Sequence, residues 1–73
     1  MTAAKPRYGV VIEKAERNYA AYVPDLPGCV ATGETLEQTQ RAIRKAIRFH
    51  LEGMQAEGMV IPEPVTVVEY VDV

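Results

Sequence analysis

Apolar residues recur along this chain in two rhythms. Over residues 7–14 (RYGVVIEK), Tyr8, Val10 and Ile12 alternate with other residues, the period of a strand that turns one face inward. The polar stretch 15–18 (AERN) supplies Asn18 for a turn, and 19–23 (YAAYV) returns as the second strand of a hairpin. Pro24 has no N–H to give to a ladder and ends that strand. Leu26-Pro27-Gly28 then reads as a turn, because Pro27 pre-sets φ and Gly28 tolerates a positive one. A short third strand over 29–32 (CVAT) stops at Gly33.

Beyond Gly33 the rhythm lengthens. Leu36, Ile43, Ile47, Leu51 and Met54 fall on one stripe at helical spacing, with Arg41, Arg44, Lys45 and Arg48 largely opposite. The helix is predicted to run from 36 to about 57, roughly 33 Å at the standard rise. Thr35 is its N-cap and Gln38 completes a capping box, while Glu34 and Glu37 suit the positive end of the dipole. Gly58 is placed to close the helix in a left-handed conformation. Pro62, in the stretch IPEP, brakes the chain before a last predicted strand over 65–73 (VTVVEYVDV).

The expected order is β-β-β-α-β. The fold class is α+β, a small antiparallel-type sheet with one long helix on one face. Residues 1–73 form a single domain, with residues 1–6 expected to be a flexible lead. One helix covers only one face of the sheet, so Val11, Ala20 and Tyr22, or their alternates, are left on the other. That surplus predicts a homo-oligomer.

The size strengthens this expectation, because a domain of 73 residues buries only about 60 % of its unfolded surface. Cys29 is the only cysteine, so neither an internal disulfide nor a cysteine-rich metal cage can add support. The formal net charge of −2 and a pI near 5.3 give no global attraction to nucleic acid or to anionic membranes. They favour a basic partner instead, and direct nucleic-acid binding is not expected. No apolar run approaches the roughly 18 residues of a membrane span. No secretory signal is recognisable either, and a lone thiol fits a cytoplasmic setting.

Each candidate chemical group has a structural reading beside the functional one. Asp25 follows a strand end, where a carboxylate suits a metal or a basic partner; the plainer role is to accept N–H bonds within its own Pro-Asp-Leu-Pro-Gly turn. Cys29 is a nucleophile only with a base beside it, and the one histidine, His50, lies on the helix about 40° from the apolar axis. A packing histidine and a small core cysteine are the simpler assignments. Asp25, Glu13 and Glu69 form no spaced motif for a two-metal site, so no catalytic residue, metal ligand or cofactor is assigned. Glu37 precedes Arg41 by four residues and Glu52 follows Arg48 by four, spacings that predict ion pairs on a solvated face. Phe49 lies about 140° from the apolar axis and is a candidate contact with another chain, as are Tyr22 and Asp25.

Three motifs in compact order resemble the HicB family, the antitoxins of HicA–HicB toxin–antitoxin pairs. They are Pro24-Asp25-Leu26-Pro27-Gly28-Cys29, then Gly33-Glu34-Thr35 opening a helix, and Gly58 followed by Ile61-Pro62-Glu63-Pro64. The likeness extends from Tyr8 to about Val68. It implies a partially degenerate ribonuclease-H-like fold that binds and blocks a small basic ribonuclease toxin. Many members of the family carry a C-terminal DNA-binding domain, which these residues lack, so a stand-alone short form is expected. In this reading Pro24, Pro27, Gly28, Gly33, Thr35, Gly58 and Pro62 are structural. The alternative is an orphan homo-oligomer with another partner or a small ligand, and a residual nuclease is the remote third.

Overall fold

A computed structural model describes residues 7–73; the expected flexible lead at 1–6 lies outside the described residues. The chain forms β1 (Val11–Lys14), β2 (Tyr19–Tyr22), β3 (Val30–Gly33) and α1 (Leu36–Ala56). The sheet is antiparallel in the order β1-β2-β3. Val11 faces Tyr22 and Lys14 faces Tyr19 across the hairpin, and Ala15 N donates to Asn18 O at 2.8 Å to close its turn.

β1 starts at Val11 rather than at residue 7, and the reason lies in its partner strand. The next position on β2 is Val23, whose N–H points to the β3 side and donates to Cys29 O at 3.2 Å. Beyond it stands Pro24, which has no donor. The link from β2 to β3 is therefore an arch stitched to itself: Leu26 N donates to Val23 O and Cys29 N to Leu26 O, both at 3.0 Å. Gly28 takes φ 86° at its apex, a left-handed value that favours glycine. The arch is also core. Val23, Leu26 and Cys29 are buried together with Ala21 and Ile43, and Leu26 is wholly enclosed.

The helix begins as its sequence dictates. Thr35 is extended, and its Oγ1 accepts from Gln38 N at 3.1 Å. The Gln38 side chain reaches one residue further back than in the usual box and accepts from Glu34 N at 3.1 Å. Thr39 is fully buried, and its hydroxyl donates to Thr35 O at 2.8 Å. This first turn lies against Gly33, where a Cβ would stand 2.6 Å from Thr39 Oγ1 and 2.8 Å from Thr39 N. At the other end Gly58 N donates to Gln55 O and Met59 N to Met54 O, with Gly58 at φ 70°. That pair of bonds is a Schellman closure, which satisfies two orphan carbonyls of the last turn.

Residues 65–73 do not form the expected fourth strand, and no helix or strand follows α1. The segment lies beside the start of β1, where Val68 Cγ2 would sit 3.1 Å from a Cβ on Gly9. Side chains hold it there in place of a backbone ladder. Tyr8 Oη donates to Pro62 O, and Asp25 takes the backbone of residues 65 and 66. Its β-branched composition suits a strand, but composition cannot supply the neighbour that a ladder needs.

α1 packs chiefly on β3 and then on β2. It sits off-centre, so the inward side chains of the β1 arm, Tyr8, Val10 and Ile12, are only half-buried. Ile43 is the deepest apolar residue of the helix, while Leu36, at the head of the predicted apolar stripe, remains 45 % exposed.

Candidate functional site

The Asp25 carboxylate is the most heavily engaged polar group of the arch. Its Oδ2 accepts from Val65 N and from Thr66 N, both at 3.1 Å, and its Oδ1 accepts from Thr66 Oγ1 at 2.7 Å. These bonds, the Thr66 hydroxyl first, hold the carboxyl below its usual pKa of 3.8. The turn around Asp25 closes through backbone bonds alone, so Asp25 acts across the fold and not within its own loop. Sequence spacing could not reveal this, because its partners lie forty residues away. Tyr8 shares the neighbourhood: burial, and then the negative charge of Asp25, push its phenol above the usual 10.0.

Cys29 is buried, and burial raises its thiol, which opposes thiolate formation. His50 is half-buried on the helix. Among the described residues no group of three His, Cys, Asp or Glu side chains converges to hold a metal. Among them also, no helix is long and apolar enough to cross a membrane.

The three predicted contact residues stand apart. Tyr22 is 43 % exposed on the sheet face turned away from the helix. The register sets it in one row with Val11 and Val30, and Val30 is 64 % exposed. Phe49 is 78 % exposed and belongs to the helix layer on the other side. Asp25 is half-buried between arch and tail.

The helix carries a second surface, built by the four cations that the sequence sets largely opposite the apolar stripe. Arg41, Arg44, Lys45 and Arg48 line one shallow concavity. Among the described residues no ion pair within 4.0 Å neutralises them, so the expected Glu37–Arg41 and Arg48–Glu52 pairs do not form. Arg44 and Arg48 also border a larger groove of about 970 Å³ between the helix and the β1 arm. Val10, Ile12, Ile43, Ile47 and Leu51 form its apolar lining, and Tyr70 stands at its mouth. The groove is a direct result of the off-centre helix. No local pattern announces it, because it depends on where α1 crosses the sheet.

The architecture and motifs agree with a family model described as the HicB-like antitoxin of bacterial toxin–antitoxin systems, which matches residues 8–73. The chain belongs to this family. Similar proteins include a 14.9 kDa protein of Haemophilus phage HP1, 35 % identical over 65 residues that make up 89 % of this chain and 49 % of the phage protein. The chain thus spans about half the length of that relative. A UPF0150 protein of Helicobacter pylori is 45 % identical over 67 % of this chain and 68 % of its own length. A UPF0150 protein of Thermoplasma acidophilum is 37 % identical over 77 % of this chain and 83 % of its own. Among solved structures, a chain of a HicA3 and HicB3 toxin–antitoxin complex superposes with a TM-score of 0.70 and 28 % identity, covering 82 % of this chain and 70 % of that one. The HicB-like fold expected from the motifs is therefore the fold observed.

Proposed function

We propose that this chain is a cytoplasmic antitoxin that binds a small basic ribonuclease toxin and blocks it by covering its RNA site, with no catalysis of its own. The likeness to a chain of a toxin–antitoxin complex carries this reading. Charge distribution supports a choice of surface. The open sheet face presents Val11, Tyr22 and Val30 with Glu13 and no strand cation, while the helix side gathers four cations. A basic toxin meets complementary potential on the sheet side and repulsion on the helix side, which governs encounter rate and orientation. Tyr22 is then the central toxin contact, Asp25 clasps residues 65 and 66 to the arch beside it, and Phe49 is left for a different chain.

The exposed apolar rows also favour self-association into a homo-oligomer. The test combines this protein with the product of its neighbouring gene and measures RNA cleavage. Inhibition at equimolar ratio, weakened by Tyr22→Ala at unchanged melting, is the expected result. A nuclease fully active in several-fold excess of this chain sinks the antitoxin reading and leaves the orphan homo-oligomer. Magnesium-dependent RNA cleavage by this chain alone, abolished by Asp25→Asn, overturns the absence of catalysis.

A further inference from the structure

The 65–73 segment and the β1–α1 groove are complementary, although in its own chain the segment reaches only the groove's mouth, at Tyr70. Tyr70 is 96 % exposed, Val71 77 % and Val67 76 %. A stretch this apolar on alternate and adjacent positions suits a strand covered on both faces, not one bathed in water. The groove supplies two such covers, the helix on one side and the inward face of the β1 arm on the other. Its volume of about 970 Å³ lies at the top of the range that binding pockets occupy.

The charges select the occupant. Arg44 and Arg48 border the groove, and Glu69 and Asp72 punctuate the segment at Glu69-Tyr70-Val71-Asp72-Val73. The basic toxin envisaged above is repelled from this rim. Asp25 and Tyr8 root the segment beside Gly9 of its own β1 arm, which leaves residues 67–73 exposed beyond the clasp.

We propose that residues 67–73 of one copy lie in the β1–α1 groove of a second copy, and that the second copy returns the same contact. Val71 and Val73 meet the apolar lining, and Glu69 and Asp72 pair with Arg44 and Arg48. The exchange is self-complementary, so it closes as a two-fold dimer without leaving an open end. This inference rests on the proposed self-association and is independent of toxin binding.

The test uses the whole chain as a mixture of ¹³C-labelled and unlabelled protein. Isotope-filtered NMR is expected to show contacts from Val71 and Val73 methyls of unlabelled copies to Ile43 and Ile47 methyls of labelled ones. Sedimentation is expected to show a dimer. Reversing both rim charges, Arg44→Glu with Arg48→Glu, is expected to weaken it by about tenfold or more, since the attractive pairs in both grooves of the dimer become repulsive. Adding Glu69→Lys and Asp72→Lys to that variant is expected to restore it. A dimer whose contacts from the segment to Ile43 and Ile47 arise only within one chain, or do not arise, overturns the exchange and leaves self-association standing. A monomer at all concentrations overturns both, whatever the toxin assay gives.

Discussion

Gly33→Ala tests the join between sheet and helix. Gly33 has no left-handed φ, so its backbone suits alanine and the whole effect is steric. The added Cβ would lie 2.6 Å from Thr39 Oγ1, 2.8 Å from Thr39 N and 3.1 Å from the Gln38 carbonyl carbon. Two of these three atoms are backbone, so rotating a side chain cannot relieve the contact; the first turn of α1 must move off β3. Overpacking of this kind costs about 1–3 kcal/mol. A chain of 73 residues has roughly 4–11 kcal/mol to lose at about 0.05–0.15 kcal/mol per residue. Urea unfolding followed by far-ultraviolet circular dichroism reads the result. With a slope of about 1 kcal/mol/M, the midpoint is expected to fall by roughly 1–3 M. Thr39→Ala in the same background removes the hydroxyl contact but not the amide, so it is expected to restore at most a part. Gly53→Ala is the opposite control. It lies mid-helix with nothing within 4 Å of its added Cβ, and it is expected to stabilise by about 0.8–1.0 kcal/mol. An unchanged midpoint for Gly33→Ala, or full recovery with Thr39→Ala, would refute the packing of α1 on Gly33.

Thr35→Ala removes the acceptor of the Gln38 N–H and is expected to cost about 1 kcal/mol in the same assay; an unaltered midpoint means that Thr35 does not cap α1. Asp25→Asn tests the clasp through pH. The folded carboxyl titrates below its ordinary 3.8, so the clasp stabilises above that value and is lost as pH falls through the lower, folded one. Asp25→Asn is expected to lower stability at neutral pH and to flatten the acid limb of the profile; an acid limb identical to that of the parent protein rules the clasp out.

What the sequence reveals here follows the range of each interaction. The Thr35 cap and the Gly58 closure are made within a few residues, and both are legible from spacing. Pro24, Pro27 and Gly28 mark a turn correctly, yet they say nothing of Leu26 being the most enclosed apolar side chain, because burial depends on what crosses above the arch. Asp25 reads as a local acceptor until the fold brings Thr66 to it. The 65–73 stretch has the composition of a strand, but pairing belongs to two segments at once and the ladder is absent. The groove follows from a helix displaced toward β3, a displacement that hydrophobic periodicity does not encode. The apolar surplus on the sheet face, by contrast, follows from counting faces against helices.

The Asp25 clasp links positions 40 and 41 residues apart in the chain. Between its two ends lie β3 and all of α1, so one carboxylate closes a loop that contains more than half of the molecule. Opening that closure returns freedom to every residue inside it, and the gain depends only weakly on the loop's length. The tail and the helix therefore belong to one cooperative unit for amide hydrogen exchange, although they share no ladder. Neutralising the clasp speeds exchange in α1 at sites far from Asp25, while the β1–β2 hairpin, which lies outside the loop, keeps its own rate.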